Sequence, residues 1–143
     1  MTKTTNLMGL DVGTVRIGVA VGDSSVCLAV PHDTIAVDGT EIEKIAEIAV
    51  RNNISVIVVG LPRNQQGELT KQSEFSKKFA EKLEYMDVDV VFQDESLTSV
   101  IAEERLKSFR RPYNKEDIDA EAASIILQDY IEEKYAIHKK KEK

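Results

Sequence analysis

The sequence predicts an α/β domain built on a five-stranded mixed sheet with flanking helices, and three features of the chain lead there. An apolar run over residues 7–10 stops at Asp11, turns through Gly13 and resumes over 17–21. That is the pattern of two antiparallel strands joined by a short loop. Residues 54–59 form a near-continuous apolar run stopped by Gly60, as expected of a strand covered on both faces in a parallel sheet. Amphipathic stripes of helical spacing separate the later strands and supply the crossovers that parallel pairing needs.

The remaining elements follow in order. Residues 27–37 read as a third strand, with Pro31 bending it or confining it to an edge. Thr40-Glu41-Ile42-Glu43 reads as a capping box, and Ile42, Ile45, Ala46 and Ala49 give the first helix its apolar stripe. That helix ends near Asn52-Asn53. A polar loop over 61–69 holds Pro62, Arg63 and Gly67. The second helix then turns Phe75, Phe79 and Leu83 inward, with Lys71, Lys77, Lys78 and Lys82 mostly outward. Residues 88–92 make the fifth strand, closed by Gln93-Asp94-Glu95. A third helix starts at Thr98 or Ser99 and runs to about Ser108. Asn114, with Asp117 three residues on, caps a fourth that continues to about Tyr135. The order is β-β-β-α-β-α-β-α-α. No repeat, linker or shift in composition divides the chain, so one domain is expected over 1–143, with 136–143 as a frayed, charged tail.

Composition narrows the function classes. At 143 residues and 42% hydrophobic, one domain buries roughly 70% of its unfolded surface and needs no covalent staple. The single cysteine, Cys27, excludes an internal disulfide and any multi-cysteine zinc cluster, and is expected to be a small buried residue. His32 and His138 are the only histidines, which disfavours Ser-His-Asp and Cys-His machinery. A signal peptide and a long apolar span are both missing, so a cytoplasmic location is expected. A net charge of −6 argues against a protein that coats nucleic acid indiscriminately. It leaves room for a nuclease whose carboxylates gather divalent cations at one place.

Three acidic positions stand apart from those that merely solvate helix faces. Asp11 ends the first strand. Glu95, beside Asp94, follows the fifth, where ligands of open α/β sheets bind. Asp119 shares a helical stripe with Ala122, Ala123, Ile126 and Tyr130, and an inward Asp among small apolar neighbours needs a partner. Each has a plainer reading: a turn residue for Asp11, a solvated loop for Asp94 and Glu95, a favourable acid near a helix N-terminus for Asp119. Together, on elements that converge in a mixed sheet, they favour a metal cluster. Magnesium or manganese takes oxygen ligands, and two such ions roughly 4 Å apart activate a water and stabilise the leaving oxygen in phosphodiester cleavage.

At these motifs the chain resembles the YqgF family of Holliday-junction resolvases and pre-16S rRNA nucleases, over about residues 7–131. The first motif is Gly9-Leu10-Asp11-Val12-Gly13-Thr14 with Arg16, Gly18 and Ala20. The second is Gly60-Leu61-Pro62 with Gly67. The third is Asp94-Glu95-Ser96-Leu97-Thr98-Ser99 with Ala102, Glu103 and Leu106. The fourth is Asp119-Ala120-Glu121-Ala122-Ala123 leading to Ile126-Leu127-Gln128. The resemblance implies an RNase H-like fold, Asp11, Glu95 and Asp119 as the catalytic, metal-binding acids, and the loop over 60–67 beside the substrate groove. The family usually has Arg where this chain has Ser96, which implies weaker phosphate binding or transition-state stabilisation. Arg16, Arg63, Arg110 and Arg111 are the candidates to supply that charge, against a reading as ordinary surface basicity.

The expected activity is a nuclease dependent on Mg2+ or Mn2+, with two ions when substrate is bound. Its expected substrate is structured nucleic acid, foremost the 5′ end of precursor 16S rRNA in ribosome biogenesis. The alternatives are a Holliday-junction resolvase, which needs two coordinated cuts and hence a homodimer, and a catalytically weak, nucleic-acid-binding ribosome-assembly factor. RNA trimming needs only a monomer. Asp11-Val12-Gly13-Thr14 also looks like the phosphate hairpin of actin-like ATPases, but those carry a second hairpin and a second domain that this chain lacks.

Overall fold

The structure is a computed structural model that describes residues 4–64, 66–95, 98–110 and 112–136, with backbone alone for Thr98, Ser99 and Ala136. Ser96, Arg111, the N-cap side chain of the third helix and residues 137–143 with His138 lie outside the described residues. Three strands come first: β1 (Asn6–Val12), β2 (Arg16–Asp23) and β3 (Leu28–Ala36). Then follow α1 (Glu41–Arg51), β4 (Val56–Pro62), α2 (Lys71–Glu81), β5 (Asp89–Glu95), α3 (Thr98–Ser108) and α4 (Lys115–Ile131). A π-helical turn over Glu132–Ala136 extends α4. The sheet order is β3-β2-β1-β4-β5. The first three strands pair antiparallel, and β4 and β5 add in parallel. Both the element order and the mixed sheet are those expected from the sequence.

Strand alternation divides the apolar residues between two cores. Met8, Leu10 and Val12 of β1, with Ile17, Val19, Ile57 and Val59, pack against Ile45 and Ala49 of α1 and Phe79 and Ala80 of α2. Leu7, Ala20, Val56 and Val58 face the other way, onto Ala123, Ile126, Leu127 and Ile131 of α4. The helix α4 is also covered from above, where Ala102 of α3 meets Ala122 and Ile125. Residues 120–127 are consequently all buried, as a helix enclosed on most sides requires. Ala122, placed with Asp119 on the stripe expected to face the sheet, is turned to α3 instead.

Local corrections have clear causes. Thr40 precedes α1 but makes no side-chain cap, because its hydroxyl and amide both donate to Asp38 Oδ1 at 2.6 and 2.9 Å. Glu41 meanwhile accepts from the amides of Asp38 and Gly39. The expected capping box is therefore replaced by an acidic turn. The box at Asn114 and Asp117 is present, with reciprocal bonds of 2.9 and 3.0 Å. Thr70 and Ser73 form another at α2. Phe75 is partly exposed rather than in the core, while Phe79 and Leu83 are buried. Cys27 is half-buried in the β2–β3 turn at φ +59°, its thiol donating to the Ser24 carbonyl. Pro31 lies on the edge strand at a register shift, where its missing N–H costs the ladder least.

A candidate active site beneath the fourth helix

The site begins with sheet register. Asp11 lies opposite Gly18 of β2. On the other side, Leu10 pairs with Val59 of β4, so Gly60 is the next residue along from Asp11's neighbour. Alternation places Asp11, Gly18, Gly60 and Glu95 on the face that α4 covers, because Gly9, Ala20 and Val58, each two residues from the first three, and Val91, four residues before Glu95, meet that helix or its core. Asp11 thus stands between two glycines on the adjacent strands.

Those glycines have a steric role. A Cβ at residue 18 would collide with the backbone carbonyl of Asp119, so α4 rests directly on Gly18. A Cβ at residue 60 would collide with the carboxylate of Glu95 and come within 2.6 Å of Ile126 Cδ1. Gly18 therefore admits the helix that carries Asp119, and Gly60 admits the side chain of Glu95. Glycine inside a strand is the sequence signal for such an approach; both stand in the motifs above, yet neither was assigned this role.

Electrostatics record the crowding. Burial first, and then the charge of Asp119, pushes the Asp11 carboxyl up to about 6. Burial and then the charge of Asp11 push Glu95 up to about 8. Both carboxyls are thus held above the ordinary carboxylate range, Glu95 further than Asp11. Each pKa unit corresponds to about 1.4 kcal/mol, whereas full burial of a Leu or Ile contributes about 1.5–3 kcal/mol. Ile126, Leu127 and Ile131, all fully buried or nearly so, supply that burial on the same face of the sheet.

Asp119 is differently engaged. Arg16 Nε donates to its Oδ2 at 2.6 Å, in a pair whose side chains are 32% and 23% exposed. Among the described residues, no three His, Cys, Asp or Glu side chains stand close enough together to hold a metal ion. The structure thus brings Asp11 into electrostatic contact with both Glu95 and Asp119, but the Asp119 carboxylate is bound to Arg16. The donor chemistry fits a hard divalent cation: oxygen ligands only, largely buried, with two protonation equilibria displaced for want of positive charge.

The other arginines divide by role. Arg63 is committed to the β4–α2 loop, its Nε 2.8 Å from Asp94 Oδ1 and its Nη1 2.8 Å from the Gly67 carbonyl. With the bridge between Arg63 and Leu69, it braces the loop over 60–67 against the end of β5, next to Glu95. Arg110 is exposed in a left-handed turn (φ +55°) at the end of α3. Sequence reasoning did not single out Arg105, which joins α3 to α4 through the buried Glu121 at 3.1 Å.

Comparison with known proteins identifies the family and the fold. The model of the RuvX family, described as Holliday junction resolvase, matches residues 5–133. A Sulfurihydrogenibium sp. (strain YO3AOP1) protein named "Putative pre-16S rRNA nuclease" is 39% identical over 129 residues, covering 88% of this chain and 89% of that protein. A protein of the same name from Chloroflexus aggregans is 40% identical over 131 residues, covering 88% and 92%. Among solved structures, Thermus thermophilus RuvC in complex with a Holliday junction substrate superposes with a TM-score of 0.56 at 14% identity, over 90% of this chain and 95% of that one. Fowlpox virus resolvase with Holliday junction DNA gives 0.55 at 13%, over 90% and 98%. These two show that the fold is the RNase H-like one of junction resolvases. With the family model spanning nearly the whole described chain and the curated relatives close to 40% identical, the protein belongs to the RuvX (YqgF) family of nucleases.

Proposed function

We propose that this chain cleaves phosphodiester bonds at the 5′ end of precursor 16S rRNA, with Asp11, Glu95 and Asp119 as its metal-holding and catalytic carboxylates. The observation that carries this reading is the position of Asp11, largely buried between two other acids at the carboxyl ends of parallel strands. The substrate follows the names of the curated relatives. Mg2+ or Mn2+, as a pair when substrate is bound, supplies an activated water and stabilisation of the departing 3′ oxygen. Asp11, coupled by charge to both other acids, would be the central carboxylate holding the metal. Glu95, whose carboxyl burial and the Asp11 charge hold above its ordinary value, would bind the metal as its carboxylate.

Arg63 acts indirectly, holding the loop at the rim of the groove. Arg110, exposed at the end of α3, would meet phosphates, and Arg111, which lies outside the described residues, remains a second candidate. No helix among the described residues is long and apolar enough to cross a membrane, and the cytoplasm, where ribosomes are assembled, is the proposed location.

The test is incubation of labelled precursor 16S rRNA and a labelled four-way DNA junction with the protein, with and without Mn2+. Metal-dependent shortening of the RNA with the junction intact is the expected result. Cutting of the junction alone would replace rRNA processing with junction resolution. Binding of RNA without cleavage under any divalent ion would leave an assembly factor that has lost turnover.

A further inference from the structure

The ion pair between Arg16 and Asp119 carries an inference beyond the placement of the acids. The backbone of α4 already lies against Gly18, directly across from Asp11, so nothing in the main chain keeps Asp119 from joining Asp11 and Glu95. What sets its carboxylate apart is its partner. Oδ2 is bound at 2.6 Å to Arg16 Nε, and the three acids do not form a group able to hold a metal. An Asp carboxylate swings between staggered χ1 wells without moving its helix, so the pair with Arg16 is a side-chain choice that a competing cation can reverse.

We infer that Arg16 is a latch on the metal site: it occupies the Asp119 carboxylate at Oδ2 and lets go of it as the site fills. The inference rests on the metal-dependent nuclease reading. Among the described residues, the Arg16 side chain makes no hydrogen bond other than that with Asp119, so letting go leaves its guanidinium fork without a hydrogen-bond partner, with only the charge of Glu116 still acting on it. That fork matches phosphate geometry in two parallel bonds. The residue that blocks the metal-free site thus becomes, on loading, a phosphate contact one strand away from Asp11. Arg16 is in this sense a positioning residue before it is a substrate-binding one, and substrate and metal bind cooperatively.

The apparent affinity of a site is reduced by the fraction of molecules in the competent state. Removing the latch removes that reduction. Isothermal titration of Mn2+ is expected to show about tenfold tighter binding in Arg16→Gln than in the wild type. In the same variant, the metal-induced gain in affinity for single-stranded RNA, measured on an uncleavable phosphorothioate strand, is expected to be lost. A second readout needs no variant as its subject: the Arg16 side-chain Nε–H resonance, assigned by its absence in Arg16→Gln. In the wild type it is expected to show a protected, hydrogen-bonded proton that becomes exchange-broadened on saturation with Mg2+. Equal or weaker Mn2+ binding by a folded Arg16→Gln, or an Nε–H signal indifferent to Mg2+, would overturn the latch while leaving the metal reading intact. No Mn2+ uptake by the wild type would remove the metal reading and the latch with it.

Discussion

Asp11→Asn is expected to lower metal-dependent cleavage by on the order of a thousandfold or more and, at the same time, to raise the melting temperature at pH 8. The first effect follows from the position of Asp11 between Glu95 and Asp119, coupled by charge to both. The second follows from proton linkage. The folded protein holds the Asp11 carboxyl at about 6, against roughly 3.9 in an unfolded chain. Folded molecules therefore bind more protons than unfolded ones between those values, and stability falls as pH rises through that window. Glu95, held at about 8, extends the decline to higher pH. At about 1.4 kcal/mol per unit, an ionised Asp11 costs at most about 3 kcal/mol above pH 6. Asparagine has no such cost and also relieves Glu95 of a neighbouring charge. A gain of several degrees at pH 8, shrinking toward pH 4, is expected in paired thermal melts. A variant that is folded and fully active, or one less stable at pH 8 than the parent, would refute the assignment.

Gly18→Ala is expected to be the most damaging Gly→Ala substitution in the chain. Its Cβ would fall on the Asp119 carbonyl, which belongs to the backbone of α4 and has no rotamer by which to yield. The helix must rise off the sheet, and with it Ala123 and Leu127, which rest on Gly9 one strand over. Overpacking of this kind costs about 1–3 kcal/mol and sometimes more. For a domain of this size, about 3 kcal/mol lowers the melting temperature by roughly 10 °C. Because the same displacement lifts Asp119 from its place across from Asp11, activity should fall further than the loss of folded protein explains. Circular dichroism melts with single-turnover cleavage well below the melting temperature separate the two effects. Parental stability in the Gly18→Ala variant would show that α4 does not rest where the structure puts it.

Much of this was legible in the chain because the signals were periodic and local. The apolar run ending at Asp11, the buried run ending at Gly60 and the Asn114–Asp117 box each state a conformation within a few residues. The element order and the mixed sheet followed from them. What could not be read was set by contacts far apart in sequence. The Arg16–Asp119 pair spans 103 residues, and no local pattern distinguishes that arginine from an ordinary surface cation. Thr40 failed as a cap because Asp38, two residues before it, took its hydroxyl, a competition that a motif match does not register. Gly18 and Gly60 lie between these cases. A glycine in a strand announces that something approaches closely, but only the fold shows that it is α4 in one case and Glu95 in the other.

The central claim is that a largely buried cluster of acids under α4 lacks positive charge and that a divalent cation supplies it. Thermal melts of the wild-type protein from pH 5.5 to 8, with and without Mn2+, test this most directly. Without metal, the melting temperature should fall as pH rises. Mn2+ should offset the fall and raise the melting temperature more at pH 8 than at pH 5.5, since fewer protons then compete for the ligands. A Mn2+ response that is absent, or equal at every pH, would contradict the account.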